Sequence, residues 1–218
     1  HGSYSQFAQI IKNVRELGKE TNREIAVIQD LQGPKIRVGE VPKEGVALKE
    51  GQKVTLSIKN EPDTIPIQYR DLPKDVKHGD SILIDDGLIE LKVESVNKAE
   101  TRIECKVVVG GTVFTHKGIN VPTASISTYP FTKKDRKDAE FGIKHHVDYI
   151  ALSFVKTAEN ILALKQMLKQ KKSFIKVIAK IERHEAITNM EEIIRASDAV
   201  MVARGDLAIT MPWIDLYA

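Results

Sequence analysis

The sequence predicts an α/β fold: a layer of parallel strands and helices, interrupted by a small antiparallel β domain. Three observations carry this. Apolar residues recur at spacings of three and four in both terminal parts. Short apolar runs without alternation stand between those helices, as in strands buried on both faces. Between about residues 39 and 127 the texture changes to short polar–apolar alternation broken by turn residues.

The elements follow in order. Tyr4, Phe7, Ile10, Ile11, Val14 and Leu17 form one helical stripe, with Gly18 as the expected stop. The run Ile25-Ala26-Val27-Ile28 predicts a buried strand over residues 25–31, ending near Asp30. Alternation marks strands at 53–59, 88–96 and 101–109. Gly51, Pro62, Pro66, Pro73, Gly79, Gly87 and Gly110-Gly111 supply the turns. Thr132-Lys133-Lys134-Asp135 predicts a capping box opening a helix to about His145. Then come a strand at 149–155 and a helix at 158–169 with Ile161, Leu162, Leu164, Met167 and Leu168 inward. A strand at 175–181, a helix at 184–196 and a strand at 199–203 follow. Strand–helix alternation with short connections implies parallel strands and right-handed crossovers. The expected organisation is an α/β part at 1–38, a β-rich insertion at 39–127, and the α/β part resumed at 128–218.

Bulk properties exclude several function classes. The 218 residues carry 33 Lys and Arg against 30 Asp and Glu, a net charge of +3. That argues against nucleic acid as a partner, which calls for a concentrated basic face. No apolar run approaches the ~20 residues of a membrane span, so no membrane partner is expected. The single Cys105 excludes an internal disulfide framework and a Cys-based zinc site, and fits a reducing, cytoplasmic setting. His1-Gly2-Ser3-Tyr4 has neither a basic flank nor an apolar core to mark export, and it lacks an initiator Met, so both ends read as cut.

Functional groups in parallel α/β folds collect at the C-terminal ends of strands. Four strands here end in polar groups: Asp30 with Gln32-Gly33-Pro34-Lys35-Ile36-Arg37, then Ser153, then Lys180-Ile181-Glu182, then Arg204-Gly205-Asp206. Two carboxylates from different strands suit Mg²⁺, a hard cation that keeps positions open for substrate oxygens. A Lys two residues before a carboxylate points to the same side of its strand and can neutralise a transferring phosphoryl group. Gly205 lets an anion approach backbone N–H groups. Taken singly, Lys180–Glu182 reads equally well as a structural ion pair, and Arg204-Gly205-Asp206 better as an ordinary turn. The joint pattern favours a site.

Five segments then resemble the pyruvate kinase family. These are Ile178-Ala179-Lys180-Ile181-Glu182 with His184-Glu185; Met201-Val202-Ala203-Arg204-Gly205-Asp206-Leu207; Asp30 through Gly39; Ile84-Asp85-Asp86-Gly87 with Lys117-Gly118-Ile119-Asn120-Val121-Pro122; and His1-Gly2-Ser3. They occur in order and at compatible spacing over nearly the whole chain. The resemblance implies a (β/α)₈ TIM-type barrel, here partial, with an inserted β-barrel lid. It implies phosphoryl transfer from phosphoenolpyruvate to ADP, giving pyruvate and ATP, and a homotetrameric parent. Glu182 and Asp206 would bind Mg²⁺ or Mn²⁺. Lys180 would stabilise the phosphoryl group, and the amides of Gly205 and Asp206, with Ser153 nearby, would serve the substrate. Arg37 and Lys117 would contact nucleotide or transferring phosphates, Lys117 arriving as the lid closes, and His1 would border the nucleotide. Asp30 and Leu31 mark the family's monovalent-cation position. Lys35 stands where K⁺-dependent members carry Glu, so a fixed ammonium is expected to replace K⁺.

Departures from the family pattern bound these expectations. Only about four of eight barrel strands are present, Thr210 replaces a family Glu, and Trp213-Ile214-Asp215-Leu216-Tyr217-Ala218 matches nothing in the pattern. Two alternatives stand beside the leading reading: a non-catalytic remnant, and another Mg²⁺-dependent phosphoenolpyruvate or pyruvate barrel enzyme such as an aldolase or lyase. Exposed apolar helix faces and poor solubility are expected of the chain alone. His145-His146, Lys169-Gln170-Lys171-Lys172, Cys105 and Gly110-Gly111 read as a solvated helix end, a dipole-complementing helix end, a packed thiol and a turn.

Overall fold

A computed structural model of the chain describes residues 2–97, 99, 101–122, 124 and 126–210. The chain runs through α1 (Tyr4–Glu20) and β1 (Ile28–Asp30) into an all-but-helix-free insertion. There follow β2 (Ile36–Arg37), β3 (Val46–Leu48), β4 (Lys53–Ser57), β5 (Thr64–Pro66), the short α2 (Leu72–Asp75), β6 (Ser81–Ile84), β7 (Ile89–Asn97), β8 (Arg102–Val109), β9 (Gly111–Val113) and β10 (Gly118–Asn120). It then returns to α/β alternation with α3 (Lys133–Lys144), β11 (Tyr149–Leu152), α4 (Ala158–Gln170), β12 (Lys176–Ile181), α5 (His184–Thr188), α6 (Met190–Ala196), β13 (Ala199–Val202) and α7 (Arg204–Thr210). Two compact units result. One holds the residues up to Pro34 with Tyr129–Ala203, and the other holds Lys35–Thr128 with the segment from Arg204.

The first unit is built on a four-stranded, wholly parallel sheet in the order β1-β11-β12-β13. Its two central strands bury unalternating apolar residues: Ile150, Ala151 and Leu152 on β11, and Val177, Ile178, Ala179 and Ile181 on β12; the edge strand β1, expected to be buried, is not, with Ile28 exposed. Helix α4 covers them with Ile161, Leu164, Met167 and Leu168. Leu162, expected inward, is 52% exposed, because an inward stripe on one helix does not accommodate adjacent residues 161 and 162 together. Ser3 and Gln6 form a capping box at α1, and Thr132 and Asp135 form the predicted one at α3.

Gly18 does not end α1. It is buried within the helix, and a Cβ there would come 2.8 Å from the Arg23 carbonyl oxygen, so glycine serves a close chain approach instead. The expected helix over 184–196 is two helices divided at Asn189. Tyr4, Phe7, Ile10 and Leu17 on α1 are exposed, as are all four residues of the edge strand β13.

The second unit is a seven-stranded sheet in the order β2-β10-β6-β7-β8-β4-β5, with a separate β3–β9 pair. Every pairing is antiparallel except β4–β5. The sheet curls back on itself: Gly39 N–H donates to the Pro66 carbonyl at 2.7 Å and Gln68 N–H to the Arg37 carbonyl at 3.0 Å, joining the two edges around a Val38–Ile67 bridge. Leu56, Ile82, Ile84, Leu91, Ile103 and Val107 fill the interior. Cys105 belongs to this core, and burial, with Glu104 and Glu94 adding to it, pushes its thiol up to about 12, so it is an inert packed side chain. No helix among the described residues is long and apolar enough to cross a membrane.

Candidate functional site

The parallel sheet brings polar groups from three of the four predicted strand ends into one cluster. Asp30 closes β1, Ser153 follows β11, Lys180 lies near the end of β12, and Glu182 follows it. In-register parallel pairing sets these ends side by side, with Asp30 opposite Ala151 and Leu152 opposite Ala179. The Lys180 Nζ sits 2.8 Å from Glu182 Oε1 and 3.0 Å from Asp30 Oδ2, and donates to Ser153 Oγ at 3.1 Å. Ser153 Oγ in turn donates to the Leu31 carbonyl at 2.7 Å. Leu31 thus enters the cluster through its backbone.

Burial differs sharply across the cluster. The Glu182 side chain is 2% exposed, Lys180 12% and Asp30 57%. Burial favours the neutral amine of Lys180, but the carboxylates of Glu182 and then Asp30 together outweigh it and hold the pKa above the ordinary lysine value. Lys180 is therefore a fixed ammonium at neutral pH.

Sequence reasoning missed the group that orients Glu182. The backbone N–H of Phe154 donates to Glu182 Oε2 at 2.7 Å. Phe154 reaches that position with φ of +56°, a left-handed conformation that costs a non-glycine residue about 1–2 kcal/mol. Gly33, itself at φ of +64°, packs against this turn, and its N–H donates to Asp135 Oδ1 at 3.1 Å. Asp135 was legible only as a helix cap, a role it also fills by accepting from Thr132 N–H at 3.0 Å.

In the second unit, parts of two of the five motif segments fall on neighbouring strands, since β10 lies between β2 and β6. Arg37 is paired with Gly118, and Ile119 with both Ile36 and Ile84. Lys117 Nζ is 2.9 Å from Asp85 Oδ1, and Arg37 Nη1 donates to the His116 carbonyl at 2.9 Å. The quoted motif contained Asp85, but nothing in its spacing named it as the partner of Lys117. A Cβ on Gly118 would meet Lys35 Cε at 3.1 Å, so this glycine makes room for the lysine stem.

Gly205 and Asp206 lie in the first turn of α7, directly after β13, where a strand end and turn were expected. A Cβ on Gly205 would meet nothing within 4 Å. His1 and residues 213–218 lie outside the described residues. Among the described residues no three His, Cys, Asp or Glu converge as a metal cage, and His145 instead packs on Phe141 at 4.3 Å between ring centroids. The donor chemistry at Glu182 nevertheless fits a hard divalent cation. It is a buried carboxylate whose Oε2 is fixed by a backbone N–H and whose Oε1 lies beside the Lys180 ammonium, a place that a cation would share with that lysine. That suits an ion held by one or two carboxylates with substrate oxygens and water completing its shell, as Mg²⁺ prefers.

Comparison with known proteins gives the family of the chain. The family model described as pyruvate kinase, barrel domain, matches residues 1–218. A pyruvate kinase of Thermococcus litoralis is 43% identical over 215 residues, covering 97% of this chain and 45% of that protein. Those of Thermotoga maritima and Geobacillus stearothermophilus are 41% and 39% identical over 216 residues, each covering 97% of this chain and respectively 46% and 37% of the relative. The chain thus spans less than half the length of these relatives. Its four parallel strands are part of a (β/α)₈ barrel domain and its curled sheet is the inserted β domain, and the chain belongs to the pyruvate kinase family.

Proposed function

We propose that the protein to which this chain corresponds transfers the phosphoryl group of phosphoenolpyruvate to ADP, giving pyruvate and ATP. The observation that carries this is the Lys180 ammonium held between Glu182 and Asp30 at the ends of parallel strands. Phosphoryl transfer needs positioned positive charge more than covalent chemistry. Lys180 supplies it, because two carboxylates keep it protonated and Ser153 fixes its direction. Glu182 and Asp206 are the ligands for Mg²⁺ or Mn²⁺, which when bound would draw negative charge from the substrate oxygens. The amides of Gly205 and Asp206 hold the substrate carboxylate, with Ser153 beside it. Arg37 and Lys117 bind nucleotide or transferring phosphates, and His1 borders the nucleotide. Residues 1–38, 39–127 and 128–218 are the first barrel part, the inserted domain and the second barrel part.

The same geometry supports K⁺ independence. Asp30, at the family's monovalent-cation position, already has an ammonium at 3.0 Å, and the Leu31 carbonyl accepts from Ser153. Lys35 adds a second fixed charge in the motif. The rate is expected to be unchanged when K⁺ replaces another monovalent cation at constant ionic strength, and a strong rise would refute this. The reduced Cys105 fits a cytoplasmic enzyme, and the family likeness a homotetramer.

A coupled assay of pyruvate release from phosphoenolpyruvate, ADP and Mg²⁺ tests the reading. A completed parent is expected to be active, and Lys180→Met to lose about 100-fold or more in kcat. An unaltered kcat would sink the assignment. The chain's coverage of less than half of its relatives favours one second reading, that this piece is inactive alone. Activity of the 218-residue chain itself would overturn that. An aldolase or lyase is the weaker alternative, because such chemistry has no use for phosphate-binding Arg37 and Lys117.

A further inference from the structure

Phe154 is an aromatic residue in a backbone conformation that aromatic residues avoid. The sheet does not demand it: β11 has ended at Leu152, and α4 does not begin until Ala158. What the left-handed turn accomplishes is local. It directs the Phe154 N–H onto Glu182 Oε2 at 2.7 Å and so leaves Oε1 as the oxygen on the Lys180 side. The turn is clamped from both directions. Ser153, buried, is tied by its hydroxyl to the Leu31 carbonyl. Gly33 lies so close that a Cβ would come 2.9 Å from Phe154 Cδ2 and 3.2 Å from Ser153 Cβ. Gly33 is in turn held by Asp135, which is 1% exposed.

We propose that the left-handed turn at Phe154, with Gly33 kept side-chain-free to accommodate it, is a positioning device that orients the Glu182 carboxylate for a divalent cation. Strained backbone of this kind persists where surrounding packing over-determines it, and it concentrates at ligand sites. The hydrogen-bond partners of a ligating carboxylate commonly control metal affinity. Phe154 and Gly33 are positioning residues, acting on the cation only through Glu182. The inference rests on the assignment of Glu182 as a metal ligand.

The test is Mn²⁺ affinity of the 218-residue chain, read by electron paramagnetic resonance of free Mn²⁺. Glu182→Gln is expected to abolish specific binding; if it does not, the metal assignment falls and this inference with it. Phe154→Gly and Phe154→Val both remove the ring, but glycine accepts a left-handed φ and a β-branched residue resists it. Phe154→Gly is therefore expected to bind Mn²⁺ like the parent, while Phe154→Val and Gly33→Ala weaken binding about 10- to 100-fold. Equal weakening by glycine and valine would assign the effect to the ring and overturn the proposal. So would unaltered affinity in Phe154→Val and Gly33→Ala beside a dead Glu182→Gln. Should valine or alanine prevent folding, ¹⁵N-phenylalanine labelling of the unsubstituted chain decides. The Phe154 amide resonance should shift with Mg²⁺ and stay still in Glu182→Gln, and an unmoved resonance in a chain that binds Mg²⁺ would refute the idea.

Discussion

Replacing Lys180 with Met should destabilise the first unit by about 3 kcal/mol at pH 7, and by much less at pH 5. The Lys180–Glu182 contact of 2.8 Å corresponds to a gross attraction of about 6 kcal/mol at an effective dielectric of ~20. Most of that offsets desolvation, but removing one partner leaves the other charged and buried, which typically costs about 3–5 kcal/mol. Glu182, 2% exposed, has an escape: it can take up a proton. From an ordinary carboxyl pKa of about 4.3, protonation at pH 7 costs about 3.7 kcal/mol, and at pH 5 about 1 kcal/mol, so those figures cap the loss. The sign follows from linkage. In the variant the folded pKa of Glu182 lies above its unfolded value, so the folded state binds more protons and the deficit shrinks as pH falls. The lost contact to half-exposed Asp30 adds little. Urea unfolding followed by circular dichroism, with chelator present, measures both values. Lys12→Met, which breaks an exposed pair at 3.7 Å, is the control and should cost under about 0.5 kcal/mol. A loss below about 1 kcal/mol at pH 7, or a loss independent of pH, would refute the buried-pair reasoning.

Two further outcomes follow from packing and charge. Leu164→Ala, at a fully buried position of α4, should cost about 2–5 kcal/mol, and Leu162→Ala within about 0.5 kcal/mol; reversed values in the same unfolding assay would mean that α4 presents a different face. Asp198 is penalised by burial, but Val177 N–H at 2.8 Å and Lys165 at 3.1 Å outweigh that and hold its pKa below the usual 3.8, so its stabilisation is full above that value and is lost as pH falls through the lower folded one. Urea midpoints from pH 5 downward should therefore fall more steeply below about pH 4 for the parent than for Asp198→Asn, and parallel curves would contradict the ion pair.

The α/β rhythm was legible because it is written in residue type and period. Ile150-Ala151-Leu152 and Val177-Ile178-Ala179 are apolar without alternation, and runs this short between turn signals suit a strand covered on both faces. Residues 53–57 and 89–97 alternate because their sheet curls around its own core and wets its outer face. What failed was finer than period. Gly18 looked like a stop but marks a close passage of residue 23, which no local signal reveals. The break at Asn189 lies within a stretch whose apolar residues continue at helical spacing on both sides. The closure of the inserted sheet rests on Gly39–Pro66 and Gln68–Arg37, four residues joined through backbone atoms alone.

The candidate site divides along the same line. Ser153, Lys180 and Glu182 could be named because polar side chains at the ends of buried strands are costly to place and therefore informative, and Asp30, half-exposed, from its place at a strand end alone. The structure adds that these side chains are arranged by backbone groups: the Leu31 carbonyl on Ser153 and the Phe154 amide on Glu182. Every residue except proline carries such groups, so residue type could not have singled them out. The nearest thing to a signal was Gly33, whose lack of a side chain the sequence shows but does not explain. Its reasons are its own left-handed backbone and a neighbouring phenylalanine in a left-handed turn, more than a hundred positions along the chain. A glycine beside a functional strand end is in this sense evidence about a backbone it does not itself contain, and it becomes readable only once the parallel sheet has brought the two strand ends together.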